Sequence, residues 1–202
     1  MNSIAIFGGT FNPIHNGHIN LVNEVSSHLN PDRIIIMPTK IPPHKQADNL
    51  AGENDRINMC RLAFENNEKI EISDYEISQP GKSYSVLTLR YFKEKFPASK
   101  LFFVMGSDML LSFHTWYNYE EILQLATLIA VSRKEDDSEK ILEYKDRLSK
   151  MGGECIIIPI KPFEISSSQI RGAISQNQEY SCYLPEKVVK YIRCNKLYKS
   201  IL

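Results

Sequence analysis

An α/β fold is what this sequence predicts: an open, mainly parallel sheet with helices on both faces and a small helical part at the C-terminal end. Two observations carry that expectation. Short apolar, β-branched runs alternate with stretches of helical spacing, and Gly or Pro closes several of the runs. Strands separated by helices form βαβ units, which set the strands parallel and cover both faces of the sheet.

The first strand is Ser3–Phe7 (SIAIF), ended by Gly8-Gly9. After the loop Thr10–Asn16, a helix runs from about Gly17 to Leu29, with Ile19, Val22, Val25 and Ser26 on one face. Arg33–Met37 (RIIIM) is the second strand, closed by Pro38. A polar loop with Pro42-Pro43-His44-Lys45 follows, and the composition of Lys40–Ala51 suits a mobile lid. Glu53–Asn66 is a helix whose apolar positions are Ile57, Cys60, Leu62 and Phe64. Lys69–Ser73 is a strand, Ser83–Lys95 a helix stopped before Pro97, and Leu101–Met105 (LFFVM) a strand ending at Gly106. Leu125–Val131 (LATLIAV) and Cys155–Ile160 (CIIIPI) are the last strands. Between them Glu139–Lys150 is a charged surface helix, with a C-cap near Gly152-Gly153. Two short helices follow, around Ser168–Ser175 and Pro185–Arg193, the second with Pro in its first turn and Val188, Val189 and Ile192 as core. With no repeat and no linker, residues 1–202 read as one domain.

Composition narrows the function. The chain has 202 residues, 43% hydrophobic and 24% charged, as expected of a globular protein with a sizeable core. Basic and acidic residues both number 24, so bulk attraction to nucleic acid or an acidic membrane is not expected. A local basic pocket for a small polyanion remains compatible with that balance. Cys60, Cys155, Cys182 and Cys194 are widely spaced without a CxxC, and read as reduced structural thiols. Met1-Asn2-Ser3 runs straight into a strand, and no apolar run approaches the roughly 20 residues of a membrane span. The expected location is the cytoplasm.

Three segments carry chemistry. Gly8–His18 (GGTFNPIHNGH) joins the first strand to the first helix, where open parallel sheets bind ligands and helix amides attract phosphate. Gly8 and Gly9 allow close backbone approach, Thr10 supplies a hydroxyl, and His15 and His18 can donate to phosphate oxygens. The segment is neither GxGxxG nor a P-loop. The two histidines also suit a zinc pair, but no third ligand lies nearby in sequence. Ile165–Arg171 (ISSSQIR) opens a helix after the last strand. Ser166, Ser167 or Ser168 is its N-cap, and Arg171 can reach back to the same end, making a second anion site or simply a capped helix with a surface arginine. Gly106-Ser107-Asp108 follows a strand, where Asp108 can accept from a ribose and Gly106 admits the sugar or base. Two phosphate-directed elements and one sugar-directed element at strand ends are what a nucleoside triphosphate site requires.

These motifs resemble those of the nucleotidyltransferase superfamily: GGTFNPIHNGH its (T/H)xGH signature, ISSSQIR its ISSxxxR signature. Within it the chain is most similar to the bacterial nicotinate-nucleotide adenylyltransferases. Supporting pieces are Pro42-Pro43-His44-Lys45, Asp55-Arg56, Ser83–Leu89, Thr115-Trp116 before Glu121-Ile122-Leu123, and Leu184-Pro185 through Leu197-Tyr198. The resemblance implies a Rossmann-like fold and transfer of AMP from ATP, with Mg2+, to nicotinate mononucleotide, giving deamido-NAD and pyrophosphate.

It also implies site roles. His15, His18 and Arg171 would be catalytic, with Gly8, Gly9, Thr10, Phe11, Gly106, Asp108, Ser167 and Ser168 around ATP and Lys45, Ser85, Thr88 and Trp116 around the mononucleotide. No protein metal ligands are expected. Asn12 stands where many members carry Asp, and Ser168 where Thr is frequent. Trp116 has two readings, an aromatic wall against the nicotinate ring or a core anchor. Rival acceptors are nicotinamide mononucleotide and phosphopantetheine. A cytidylyltransferase or a non-catalytic nucleotide binder on the same scaffold are further alternatives. Monomer and homo-oligomer are both open.

Overall fold

The first strand is longer than its apolar run: β1 spans Ser3–Gly9, because Gly8 and Gly9 stay in register with Met37 and Pro38 of the neighbouring strand. The computed structural model describes residues 2–40, 50–132, 138–161, 163 and 165–199. The other described strands are β2 (Arg33–Pro38), β3 (Ile70–Ile72), β4 (Lys100–Gly106), β5 (Thr127–Ser132) and β6 (Cys155–Pro159). All five pairings among the described strands are parallel, in the order β3-β2-β1-β4-β5-β6. The chain therefore reverses its winding between β1 and β4, and the carboxyl ends of those two strands border the crevice where such sheets hold ligands.

The described α-helices are α1 (Asn16–Leu29), α2 (Glu53–Phe64), α3 (Tyr75–Ser78), α4 (Ser85–Lys95), α5 (Ser107–Leu111), α6 (Tyr119–Leu125), α7 (Ser138–Lys150), α8 (Ser167–Ser175) and α9 (Glu186–Cys194). Single 3-10 turns occupy Phe113–Thr115 and Ser181–Tyr183. Alternate strand residues face opposite sides. Ala5, Phe7, Ile34, Ile36, Phe102, Val104, Ile129 and Val131 pack against α1, α2, α8 and α9. Ile4, Ile6, Ile35, Met37, Leu101, Phe103, Leu128 and Ala130 pack against α4, α6 and α7. Burying both faces explains the near-continuous apolar strands, each buried Ile or Val contributing about 1.5–3 kcal/mol. Val188, Val189 and Ile192 are core, as expected.

Several boundaries differ from expectation. Leu125 ends α6 rather than starting β5, and Ala126 is the C-cap, since the run LATLIAV carries no Gly or Pro to mark the change. Pro185 is the N-cap of α9 and lies just before its first turn. The short helices α3 and α5 have no periodicity long enough to announce them. Cys60 and Cys155 are buried, but Cys182 and Cys194 are exposed, so only two of the four thiols pack in the core. Burial pushes the Cys155 thiol up to about 11 and the Cys60 thiol up further. No described helix is long and apolar enough to cross a membrane.

Candidate active site

The loop between β1 and α1 is shaped by its own side chains. Phe11 takes φ 46° and folds its ring back over Gly9, where an added Cβ would stand 2.9 Å from the ring. A side chain on Gly9 would thus collide with the Phe11 ring. A Cβ on Gly8 or Gly106 would meet nothing within 4 Å, so open space lies over both. The last registered pair of these neighbouring strands is Phe7 with Val104; beyond it Gly8 still pairs with Met37 of β2 and Gly106 with Val131 of β5, so both glycines stand at the carboxyl ends of adjacent strands.

His15 is the N-cap of α1, and His18 sits three residues on in a reciprocal capping box. Nδ1 of His15 accepts from the Gly17 amide at 3.1 Å, and Nδ1 of His18 from the His15 amide at 3.2 Å. Each neutral ring accepting at Nδ1 carries its proton on Nε2, a tautomer assigned from these bonds. The rings lie 3.8 Å apart between centroids, and Phe11 meets His18 edge-on at 5.1 Å. His15 is buried and His18 half-buried. Two imidazoles are thus locked as Nε2–H donors at a helix N-terminus.

Ser166 is the N-cap of α8, in a second capping box with Gln169. The helix is tied to the first loop by two bonds. Ser167 Oγ donates to the Pro13 carbonyl at 3.0 Å, and Arg171 Nη1 to the Asn12 carbonyl at 2.9 Å. Arg171 Nη2 also donates to Ser168 Oγ at 3.2 Å, so the reach back along the helix is as expected. Asn12 is a junction: its Oδ1 accepts from the Ala51 amide at 3.0 Å and from Tyr198 Oη at 2.8 Å. Burial raises the Tyr198 phenol well above its ordinary value, which keeps it a donor. Gly106 N-caps α5, and Asp108 lies exposed in its first turn. Thr10 is half-buried at the end of β1.

A second cluster forms beside α4. Ser85 is its first residue and half-buried, and Tyr84 caps it without a side-chain hydrogen bond. The ring of Tyr84 meets that of Tyr117 at 5.0 Å, and both are exposed. Trp116 is half-buried and rests on Phe103 and Phe113 at 6.1 and 5.6 Å, so it anchors to the core while keeping part of its ring open. Thr88 is buried, and its hydroxyl donates to Glu76 at 2.6 Å. It holds the start of α4 from inside rather than facing the cluster's surface. Lys45, with the Pro42-Pro43-His44-Lys45 run and most of the Lys40–Ala51 lid segment, lies outside the described residues.

Asn12, Arg56 and Tyr198 stand in the sequence only as pieces of the family resemblance, with no role attached, and Glu76 is not singled out there; the structure gives them roles as a junction, a support beneath Thr10, a donor to Asn12 and a partner behind Thr88. Both Arg56 and Glu76 lie in polar stretches, GENDRIN and SDYEIS, so no local pattern marks either as buried. Glu76 is buried, and desolvation raises its carboxyl above the ordinary 4.5 despite bonds from Thr88 and Ser83. The folded state then holds a proton that the unfolded chain has released, so stability falls as pH rises from 4.5 through the folded-state pKa. Glu76→Gln should flatten that segment of the curve in urea unfolding. Equal slopes in variant and wild type would place the pH dependence elsewhere.

No three His, Cys, Asp or Glu side chains gather as a metal site among the described residues. The donors that do gather are imidazole, hydroxyl, amide and guanidinium, which complement phosphate oxygens and not a hard cation.

The cytidylyltransferase-like family model matches residues 6–173. A Clostridium tetani protein described as a probable nicotinate-nucleotide adenylyltransferase is 36% identical over 200 residues, covering 98% of this chain and 100% of its own length. A Clostridium botulinum (strain Kyoto / Type A2) protein of the same description is 38% identical over 197 residues, covering 96% and 98%. Among solved structures, Plasmodium falciparum nicotinic acid mononucleotide adenylyltransferase complexed with NaAD superposes with TM-score 0.78 over 98% of both chains, at 22% identity. The same enzyme complexed with APC gives 0.76 over the same shares, also at 22% identity. At that identity the likeness to the solved structures is one of fold.

Proposed function

The chain belongs to the cytidylyltransferase-like family, in the branch of the nicotinate-nucleotide adenylyltransferases, and from that premise we propose how its site works. It transfers the adenylyl group of ATP to nicotinate mononucleotide, giving nicotinate adenine dinucleotide and pyrophosphate in NAD biosynthesis. An oxygen of the mononucleotide phosphate attacks the α-phosphorus, and the bond from that phosphorus to the oxygen of the β-phosphate breaks. The nucleophile is already anionic near neutral pH, its second pKa being about 6. The task is to bring two polyanions together and stabilise the charge of the transferring and leaving groups.

The observation that carries this reading is the bond from Arg171 to Asn12, across 159 residues. It brings the N-termini of α1 and α8 to one place, each with phosphate-directed donors. We assign His18 to the α-phosphate, His15 to phosphate binding beside it, and Arg171 with Ser167 and Ser168 to the departing pyrophosphate. Thr10 and Phe11 complete the phosphate loop, and Gly9 lets Phe11 fold. Gly8, Gly106 and Asp108 receive the nucleoside of ATP.

The amides at the start of α4, with no side-chain cap at Tyr84, suit a carboxylate. That favours nicotinate over nicotinamide, with Ser85 at the anion, Thr88 positioning the helix, and Trp116 against the ring. Lys45 is assigned to the surroundings of the mononucleotide by family likeness. Mg2+ is proposed to enter on the ATP phosphates, because the protein donors match phosphate oxygens. It would screen those charges and ease departure of pyrophosphate. We place this single-domain enzyme in the cytoplasm.

Label position tests the bond that breaks. ATP labelled at the α-phosphate should deliver its label to the dinucleotide, and γ-labelled ATP to pyrophosphate. γ-Label in any organic product would refute adenylyl transfer.

Gly106→Val tests the open space. Its φ of −72° and ψ of 155° suit a β-branched residue, so the unfolding midpoint should hold. The KM for ATP should rise about tenfold or more as the methyls enter the ligand's space. An unchanged KM would mean the nucleoside lies elsewhere.

A further inference from the structure

Arg56 lies in the first turns of α2, wholly buried. Its Nη1 donates to the carbonyls of Thr10 at 2.8 Å and Thr39 at 2.7 Å. One nitrogen thereby joins the residues just past β1 and β2, where the Thr39 amide also donates to the Gly9 carbonyl at 2.9 Å. Nε and Nη2 are buried with no hydrogen-bond partner among the described residues, as is the Thr39 hydroxyl. Nor does any described carboxylate form an ion pair with this guanidinium. Glu53, Cys60 and Tyr198 are the titratable groups that act on it, and burial keeps the thiol and the phenol protonated.

An arginine stays charged at any working pH, even where burial disfavours the charge, as it does here. A buried cation without a counter-ion destabilises the fold, and the donors left over make it worse. Two carbonyl bonds could be made by neutral donors, so they do not account for the charge. The loop that Arg56 holds is the one whose ligand is a polyanion.

We propose that Arg56 is a positioning residue for the phosphate site, fixing the Thr10 and Thr39 carbonyls and holding behind the phosphate loop a positive charge that the bound phosphates neutralise. The proposal rests on the adenylyl-transfer reading above. Wild-type enzyme that makes no dinucleotide defeats that reading, whereas the variants below test Arg56 within it.

Arg56→Gln keeps a donor and removes the charge; Arg56→Lys keeps the charge and loses the fork. Both should lower the unfolding midpoint. The KM for ATP should rise about tenfold in Arg56→Gln with kcat much less affected, and stay within about threefold of wild type in Arg56→Lys. Unchanged KM in both variants, or an equal rise in both, would overturn the role assigned to the charge. Should Arg56→Gln not fold, Arg56→Lys carries the test alone. A lysine buried there loses its proton more readily than an arginine, so its KM should climb from about pH 7 to about pH 10 relative to wild type. A pH profile parallel to wild type would overturn the proposal.

Discussion

Replacing His18 by alanine is expected to lower kcat about 10²–10³-fold at saturating substrates. Among the described residues, His18 is held where its Nδ1 caps the His15 amide, the His15 ring lies against it, and Phe11 meets it edge-on. A ring fixed on these sides presents Nε2–H in one direction without reorganising as charge develops on the α-phosphate. Alanine removes that donor together with a cap worth about 1 kcal/mol. The two losses separate cleanly, because urea unfolding reads the cap and turnover of folded enzyme reads the donor. Near-wild-type turnover would remove His18 from the chemistry.

Arg171→Ala is expected to reduce kcat/KM for ATP about 10²-fold, and Arg171→Lys should recover little of it. The reason is geometric. Nη1 binds the Asn12 carbonyl and Nη2 the Ser168 hydroxyl, so a planar fork spans the first loop and α8. A lysine ammonium brings the charge without that spacing. Full recovery by lysine would mean that the arginine supplies charge alone, and that the loop and α8 are held together by Ser167 and Pro13 instead.

What could be read from the sequence was local. Ser166 and the helix it caps express a local rule of helix termini, and His15 and His18 stand at a helix start within three residues of each other, although histidine is not a usual cap and their capping bonds appear only in the structure. The sheet was legible because strands buried on both faces are almost uniformly apolar. Residues whose role depends on distant partners were not legible. Tyr198 reaches Asn12 across 186 positions, and Arg56 reaches Thr10 across 46, with no spacing rule linking either pair. The need for glycine at position 9 set by the Phe11 ring, two residues on, depends on the turn at Phe11 and has no mark in the sequence. Thr88 was read as facing substrate, but its position in α4 turns it inward to Glu76.

Asn12, a departure from the family's usual residue, still supplies the acceptors that its described bonds need. Its carbonyl and Oδ1 act only as acceptors in the bonds to Arg171, Ala51 and Tyr198. Aspartate could accept in each of these described bonds as well.

The most direct measurement is pyrophosphate release from Mg2+ and ATP with nicotinate mononucleotide, nicotinamide mononucleotide and phosphopantetheine offered separately. Strong release with nicotinate mononucleotide, and little with the other two, is the expected result. Release only with another acceptor would keep the phosphate site and discard the roles given to Ser85, Trp116 and Lys45. No release with any of the three, despite measurable ATP binding, would contradict adenylyl transfer and leave a nucleotide binder on this fold.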